Sequence, residues 1–264
     1  MKYGESTFDI LYLLFAIISG VIILIKARNR NEKLMGFAAL ILGFGDAFHL
    51  VPRVLNYFID ADFTAALGIG KLITSVTMTV FYVLLYYVWL GYYKETKKKR
   101  LSAMVWLLAL VRTALCVFPQ NGWLENSSDL TWGIIRNIPF VMLGALICFL
   151  YFKNRNKSRR FRHIWVYILL SFAFYIPVTV GAGALPILGM LMLPKTVCYI
   201  LVILIFLLAA LKDTPITSKE ESAERQPALW HSRKIENKRK MRVLRGNIPC
   251  STPEKSKTSE KREC

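Results

Sequence analysis

Residues 34–58 read LMGFAALILGFGDAFHLVPRVLNYF. The run exceeds the ~20 residues that a helix needs to cross the hydrocarbon of a bilayer. It is apolar apart from a thin polar set: Asp46, His49, Arg53 and Asn56. A helix is the only reading, because backbone amides find no water in hydrocarbon and an unclosed strand would leave them unsatisfied. The strict alternation of barrel strands is also missing.

Working outward, six further runs of the same kind cover 9–25, 64–91, 101–118, 130–152, 164–185 and 187–211. They predict an all-α integral membrane protein, a seven-helix transmembrane bundle with a membrane domain over 1–211. The bulk numbers agree. A chain of 264 residues that is 55% hydrophobic with a net charge of +18 and a mean hydropathy of +0.40 is too apolar for an ordinary soluble domain. Its charge sits in short clusters between apolar runs.

Those clusters predict the orientation, since Lys and Arg are retained on the cytoplasmic side. The first connection carries Lys26, Arg28, Arg30 and Lys33, the third Lys94, Lys97, Lys98, Lys99 and Arg100, and the fifth Lys153, Arg155, Lys157, Arg159, Arg160 and Arg162. The even connections hold Asp60 with Asp62, Glu125 with Asp129, and the uncharged stretch 181–186. The N-terminus is therefore expected outside and the C-terminus in the cytoplasm, in a multi-pass protein of the plasma (cytoplasmic) membrane. The first span lacks the basic n-region and the A-x-A site of a cleavable signal peptide.

Residues 212–264 shift to a basic, polar composition that reads as a disordered cytoplasmic tail. Its stretch from Arg225 to Arg245 interleaves bases with Trp230, Ile235 and Met241, a pattern that suits either a solvated tail or one lying on anionic lipid. Asn126-Ser127-Ser128 fits a glycosylation acceptor in the second outer connection. Cys116, Cys148, Cys198, Cys250 and Cys264 show no paired spacing, so neither a disulfide framework nor a metal site is expected. Of the three histidines only His49 lies deep in a span.

Ionisable side chains within spans are costly and ask for a partner, a cavity or a route to the interface. Asp46, His49 and Arg53 are spaced i, i+3 and i+7, which places them within an arc of roughly 60° on one helix face. Asn56 extends that stripe. Lys71, Arg112, Arg136 and Lys195, counted from the outer ends of their runs, lie roughly 9 to 12 Å deep, and Arg53 falls at a similar level. Five helices thus bring five bases to one layer, against one acid deep in any span, Asp46. For a single base the plainer account is snorkelling to the headgroups. Five at one depth predict an outward-facing cavity for an anion such as a phosphate or carboxylate. Tyr199, one turn beyond Lys195, belongs to the same expected ligand-binding set. Asp46 and His49 are the candidates for proton transfer, or Asp46 simply neutralises Arg53 or Lys71.

Gly45-Asp46, flanked by apolar residues, resembles the Gly-Asp motif of the YhhN-type lysoplasmalogenase family of multi-span membrane proteins. Leu67-Gly68 and Tyr82 in the third span extend the resemblance, which covers about a quarter of the chain. It implies hydrolysis of a lipid bearing an anionic phosphate, with Asp46 as the residue carried over. The acidic pair found late in that family is absent here, because the last span reads Leu193-Pro194-Lys195-Thr196.

Three functions follow as expectations. One is a membrane hydrolase that grips a lipid phosphate with its bases. The second is a seven-span transporter or receptor for a small anion. The third is a retinal pigment with a Schiff base on Lys195, which four neighbouring bases disfavour. The expected partners are membrane lipids and an anionic small molecule or lipid head group, with no nucleic acid, cofactor or metal.

Overall fold

The computed structural model describes residues 2–96, 99–125, 130–181 and 185–212. Among them are seven long helices: α1 (Lys2–Lys26), α2 (Arg30–Phe58), α3 (Thr64–Tyr92), α4 (Lys99–Val117), α5 (Leu130–Lys153), α6 (Ile164–Gly181) and α7 (Met192–Lys212). Single 3-10 segments, Pro119–Asn121 and Pro186–Leu191, follow α4 and precede α7. All seven helices, the last counted as Ile187–Leu211, are long and apolar enough to cross a membrane. The tail after Lys212, with His231, Cys250 and Cys264, and the acceptor at Asn126-Ser127-Ser128 lie outside the described residues.

The helix ends depart from the expected spans where polar residues begin a helix. α1 starts at Lys2 rather than at position 9, so Glu5 belongs to it and Asp9 lies about two turns inside it instead of at its edge. α2 starts at Arg30, where the Asn29 side chain accepts a hydrogen bond from the Glu32 amide and the Glu32 carboxylate accepts one from the Arg28 amide. That reciprocal cap satisfies donors at the helix start and fixes the basic connection between α1 and α2. α6 ends at Gly181, and the chain re-enters through the Pro186–Leu191 segment; proline there lacks the donor that would continue the helix.

Each helix packs on its neighbours in the chain, α7 returns to α1, and α3 also reaches α5. The α2–α3 contact is close because a Cβ at Gly45 would overlap the Thr77 side chain. Thr74 on α3 donates to the Gly45 carbonyl at 3.0 Å across the same contact. The glycine of the Gly-Asp pair thus acts in helix packing.

The outer surface has the polarity expected of helices in lipid. On α1, Ile10, Leu14, Ile18, Val21 and Ile25 are all exposed while Tyr12, Ala16 and Ile23 are buried. An exposed aliphatic stripe of that length opposite a packed face is far more than a soluble surface carries. Within the bundle, Phe81, Tyr82, Phe140, Phe172 and Tyr199 form an aromatic cluster of edge-to-face and tilted rings, with centroids 5.9 Å apart for the edge-to-face pair Phe81 and Tyr199 and 5.1 Å for the tilted pair Phe140 and Phe172.

Candidate functional site: a basic cavity at one end of the bundle

Successive helices run in alternating directions, so the starts of α1, α3, α5 and α7 share an end of the bundle with the finishes of α2, α4 and α6. Lys71 lies in the second turn of α3, Arg112 near the end of α4, Arg136 in the second turn of α5 and Lys195 in the first turn of α7. Helix direction therefore carries all four to one end. There they line one cavity of about 380 Å³, together with His49, Thr74, Ser75, Asn137, Phe140 and Tyr175. Among the described residues no carboxylate lines it.

Three of these bases, Arg112 buried and Arg136 and Lys195 partly buried, are held in place by neutral groups. Arg112, only 2% exposed, donates to the Asn137 side-chain oxygen at 3.0 Å and lies over the Phe140 ring at 3.8 Å. Arg136 donates to the Asn121 side-chain oxygen at 2.7 Å and stacks over the Trp123 ring at 4.3 Å. The Lys195 ammonium sits 4.4 Å from the centre of the Tyr175 ring and 5.6 Å from that of Tyr199. Tyr175 in turn donates to Asn137 at 2.8 Å, and the Asn137 amide donates to the Gly133 carbonyl at 2.8 Å. Ring faces and amide oxygens orient these cations without cancelling their charge. Arg112, Arg136 and Lys195 form no ion pair among the described residues.

The cavity rim depends on the connection between α4 and α5. Asn121 is fully buried and donates to the carbonyls of Leu115 and Phe118 at 2.8 Å each. This folds the 3-10 turn back over the end of α4 and aims its oxygen at Arg136. Trp123 donates to the Cys116 carbonyl at 2.8 Å. Its backbone lies so close to α3 that a Cβ at Gly68 would overlap the Trp123 carbonyl. Gly68 is thus what lets the loop reach the cavity.

Other expected members lie elsewhere. Arg53 does not line the cavity: it is ion-paired with Glu5 of α1, which also accepts from Tyr57 at 3.1 Å. Asn56, expected on the same stripe, is exposed. The stripe splits because α2 packs on α1 along one side and on α3 along the other, so a 60° arc straddles two seams. His49 faces the cavity, while Asp46 accepts from the Tyr12 hydroxyl at 2.6 Å. Asp46 does not line the cavity, although it lies within electrostatic reach of Lys195. Tyr199 is buried behind Lys195 against Phe81.

The expectation of a single deep acid needs correction. Asp9 is 4% exposed, because α1 begins seven residues earlier than its apolar run. Asn121, Trp123 and Tyr175 are site residues that the span reading passed over. Pro119-Gln120-Asn121-Gly122 carried a turn signal, but nothing in the sequence tied it to Arg136. No family model, curated protein or solved structure matches this chain.

Proposed function

We propose that this chain is a multi-pass membrane protein that binds an anion in the cavity between α3, α4, α5 and α7. The observation that carries the reading is the set Arg112, Arg136 and Lys195, one buried and two partly buried cations around one cavity, whose direct contacts are neutral and whose lining has no carboxylate among the described residues. A buried charge without compensation is strongly unfavourable, so the arrangement calls for an anion to complete it. Phosphate, sulfate or carboxylate oxygens suit it, since guanidinium groups present paired donors to such oxygens. The ligand is a free anion or the head group of an anionic lipid. The cavity supports binding better than hydrolysis, because Asp46 is engaged by Tyr12 away from the cavity lining. A Schiff base on Lys195 has no support beside two guanidinium groups.

The alternation of basic and acidic connections in the sequence supports a cavity on the outer side of the cytoplasmic membrane, with the N-terminus outside and the C-terminus inside. The resemblance to the lysoplasmalogenase family supports a lipid phosphate as ligand and rests on Gly45-Asp46, a pair whose glycine is used in packing.

The full chain in nanodiscs should bind inorganic phosphate at constant ionic strength. Arg136→Gln should weaken binding roughly tenfold or more, the scale of a lost charge-assisted hydrogen bond. Mass spectrometry of the intact complex separates the two sources: a retained lipid phosphate that inorganic phosphate fails to displace marks a head-group site, and ready displacement marks a site for free anions. Wild-type protein that takes up neither would overturn the proposal. Cysteines at positions 126 and 251 should label from opposite faces, 126 from outside; labelling of both from the same face would refute the seven-span arrangement.

A further inference from the structure

The seam between α1 and α2 carries a polar ladder that the anion cavity does not use. Glu5 pairs with Arg53, and the Tyr12 hydroxyl donates to Asp46. The two rungs share one antiparallel register, because the step from Glu5 to Tyr12 on α1 equals the step back from Arg53 to Asp46 on α2. Asp9 sits between them on the same face of α1, at i+4 from Glu5 and i−3 from Tyr12. Its rung is empty: Asp9 is 4% exposed and its Oδ2 has no hydrogen-bond partner, and the same holds for the hydroxyl of Ser6, one turn away.

A buried carboxyl oxygen that neither accepts nor donates a hydrogen bond is costly as an anion, and a proton is the smallest ligand that removes the cost. The surroundings matter as much. Asp9 feels Glu5 and Tyr12 on its own helix and Arg53 and Asp46 on α2. Asp46 feels Tyr12 on α1 and Lys195 and Tyr199 on α7. His49, which lines the cavity, lies within electrostatic reach of Lys71, Arg53 and Lys195. Charge on the Asp9–Asp46 pair therefore reaches the cavity through Lys195, the one cavity base that faces Asp46 from α7.

We propose that Asp9 and Asp46 form a proton-binding pair linked through Lys195 to the cavity, so that this protein takes up an anion together with a proton. The inference rests on the anion-binding reading above and adds its coupling ion. Protonating the pair removes negative charge behind Lys195 and leaves the cavity more positive, so the anion binds more tightly. By reciprocity, a bound anion raises the affinity of the pair for protons.

Sulfate is the probe for this link, because its own charge is constant over the range used. Its affinity for the full chain in nanodiscs should rise roughly tenfold between about pH 8 and about pH 5.5, the order expected for one charge acting over a short distance in a protein interior. Asp9→Asn and Asp46→Asn should each flatten that profile at the tighter level; an asparagine at 46 keeps an oxygen for Tyr12. His49→Gln should retain the slope. Weakly buffered wild-type protein should take up protons when sulfate is added, a readout that needs no variant to fold. A flat wild-type profile, a slope that survives both asparagine variants or vanishes in His49→Gln, or sulfate binding without proton uptake would each overturn the proton link and leave the anion cavity standing. Absence of sulfate binding at both pH values would overturn the cavity reading and this inference with it.

Discussion

The two ends of the bundle solve the same problem in opposite ways. At the end remote from the cavity, polar side chains answer one another, with the buried Tyr93 hydroxyl as an exception. Trp89 donates to the Leu150 carbonyl and Tyr151 to the Leu85 carbonyl, each at 3.0 Å. Tyr86 shares a hydrogen bond with Ser102, Tyr92 with Ser158, and Lys157 pairs with Glu95 at 2.6 Å. Aromatic rings fill the remaining space, with Tyr92 and Phe161 centroids 3.9 Å apart. At the other end the cations that line the cavity meet amides and ring faces, and among the described residues no carboxylate lines it with them. The difference teaches where to look for a ligand in a membrane bundle. Satisfied polar groups close an end, and a charge held in position but not neutralised keeps it open.

The closed end should therefore be the stabilising one. Trp89→Ala removes a buried ring and a hydrogen bond and should cost about 2–3 kcal/mol, somewhat below the soluble-core range because lipid already solvates the apolar surface. Unfolding in graded denaturing detergent measures it. Anion affinity of the folded fraction should stay within about twofold of wild type. A variant that loses binding while remaining folded would show that the two ends are coupled and break the comparison.

The next effect lies at the α2–α3 contact, which positions Lys71 and His49 for the cavity. Gly45→Ala puts a methyl group onto Thr77 and should destabilise the bundle by about 1–3 kcal/mol, the cost of overpacking a tight contact. Gly45→Ala with Thr77→Ala, which removes the hydroxyl oxygen nearest the added methyl, should recover part of that loss. No recovery would mean that the helices separate for another reason.

The seven helices were legible in the sequence because hydrocarbon imposes length and apolarity on every span. The convergence of Lys71, Arg112, Arg136 and Lys195 was legible for a related reason: depth can be counted along a helix whose end is known. What was not legible were relations across helices. Depth alone placed Arg53 with the other bases, but rotation about α2 directs it to Glu5. Hydropathy cut α1 at its polar first turns, which left Glu5 out of the span and put Asp9 at its edge. Asn121 and Trp123 reach Arg136 through a folded connection, and no periodicity reports on such a contact.

Arg112 tests whether charge at the open end is retained for binding at the expense of stability. Arg112→Met keeps the bulk of the side chain and its contact with Phe140 while removing a buried cation. Without ligand the variant should be as stable as wild type or about 1 kcal/mol more stable, as when buried charges are replaced by apolar groups of similar size. Its phosphate affinity should fall roughly tenfold. A loss of both stability and binding would assign Arg112 to the framework and make the two ends alike.

The smallest effect separates the ladder from the cavity. The Glu5–Arg53 pair is partly exposed, 22% and 28% for the two side chains, and pairs of that kind contribute about 0–1 kcal/mol. Glu5→Gln should accordingly cost under about 1 kcal/mol and leave phosphate binding unchanged. Arg53→Gln should cost more than Glu5→Gln, because Arg53 also offsets the buried Asp9, and the double variant should cost less than the two single losses added together. The asymmetry depends on Asp9 carrying charge, so it should shrink in an Asp9→Asn background. Equal losses for the two single variants in both backgrounds would place Arg53 in an isolated surface pair, outside any ladder.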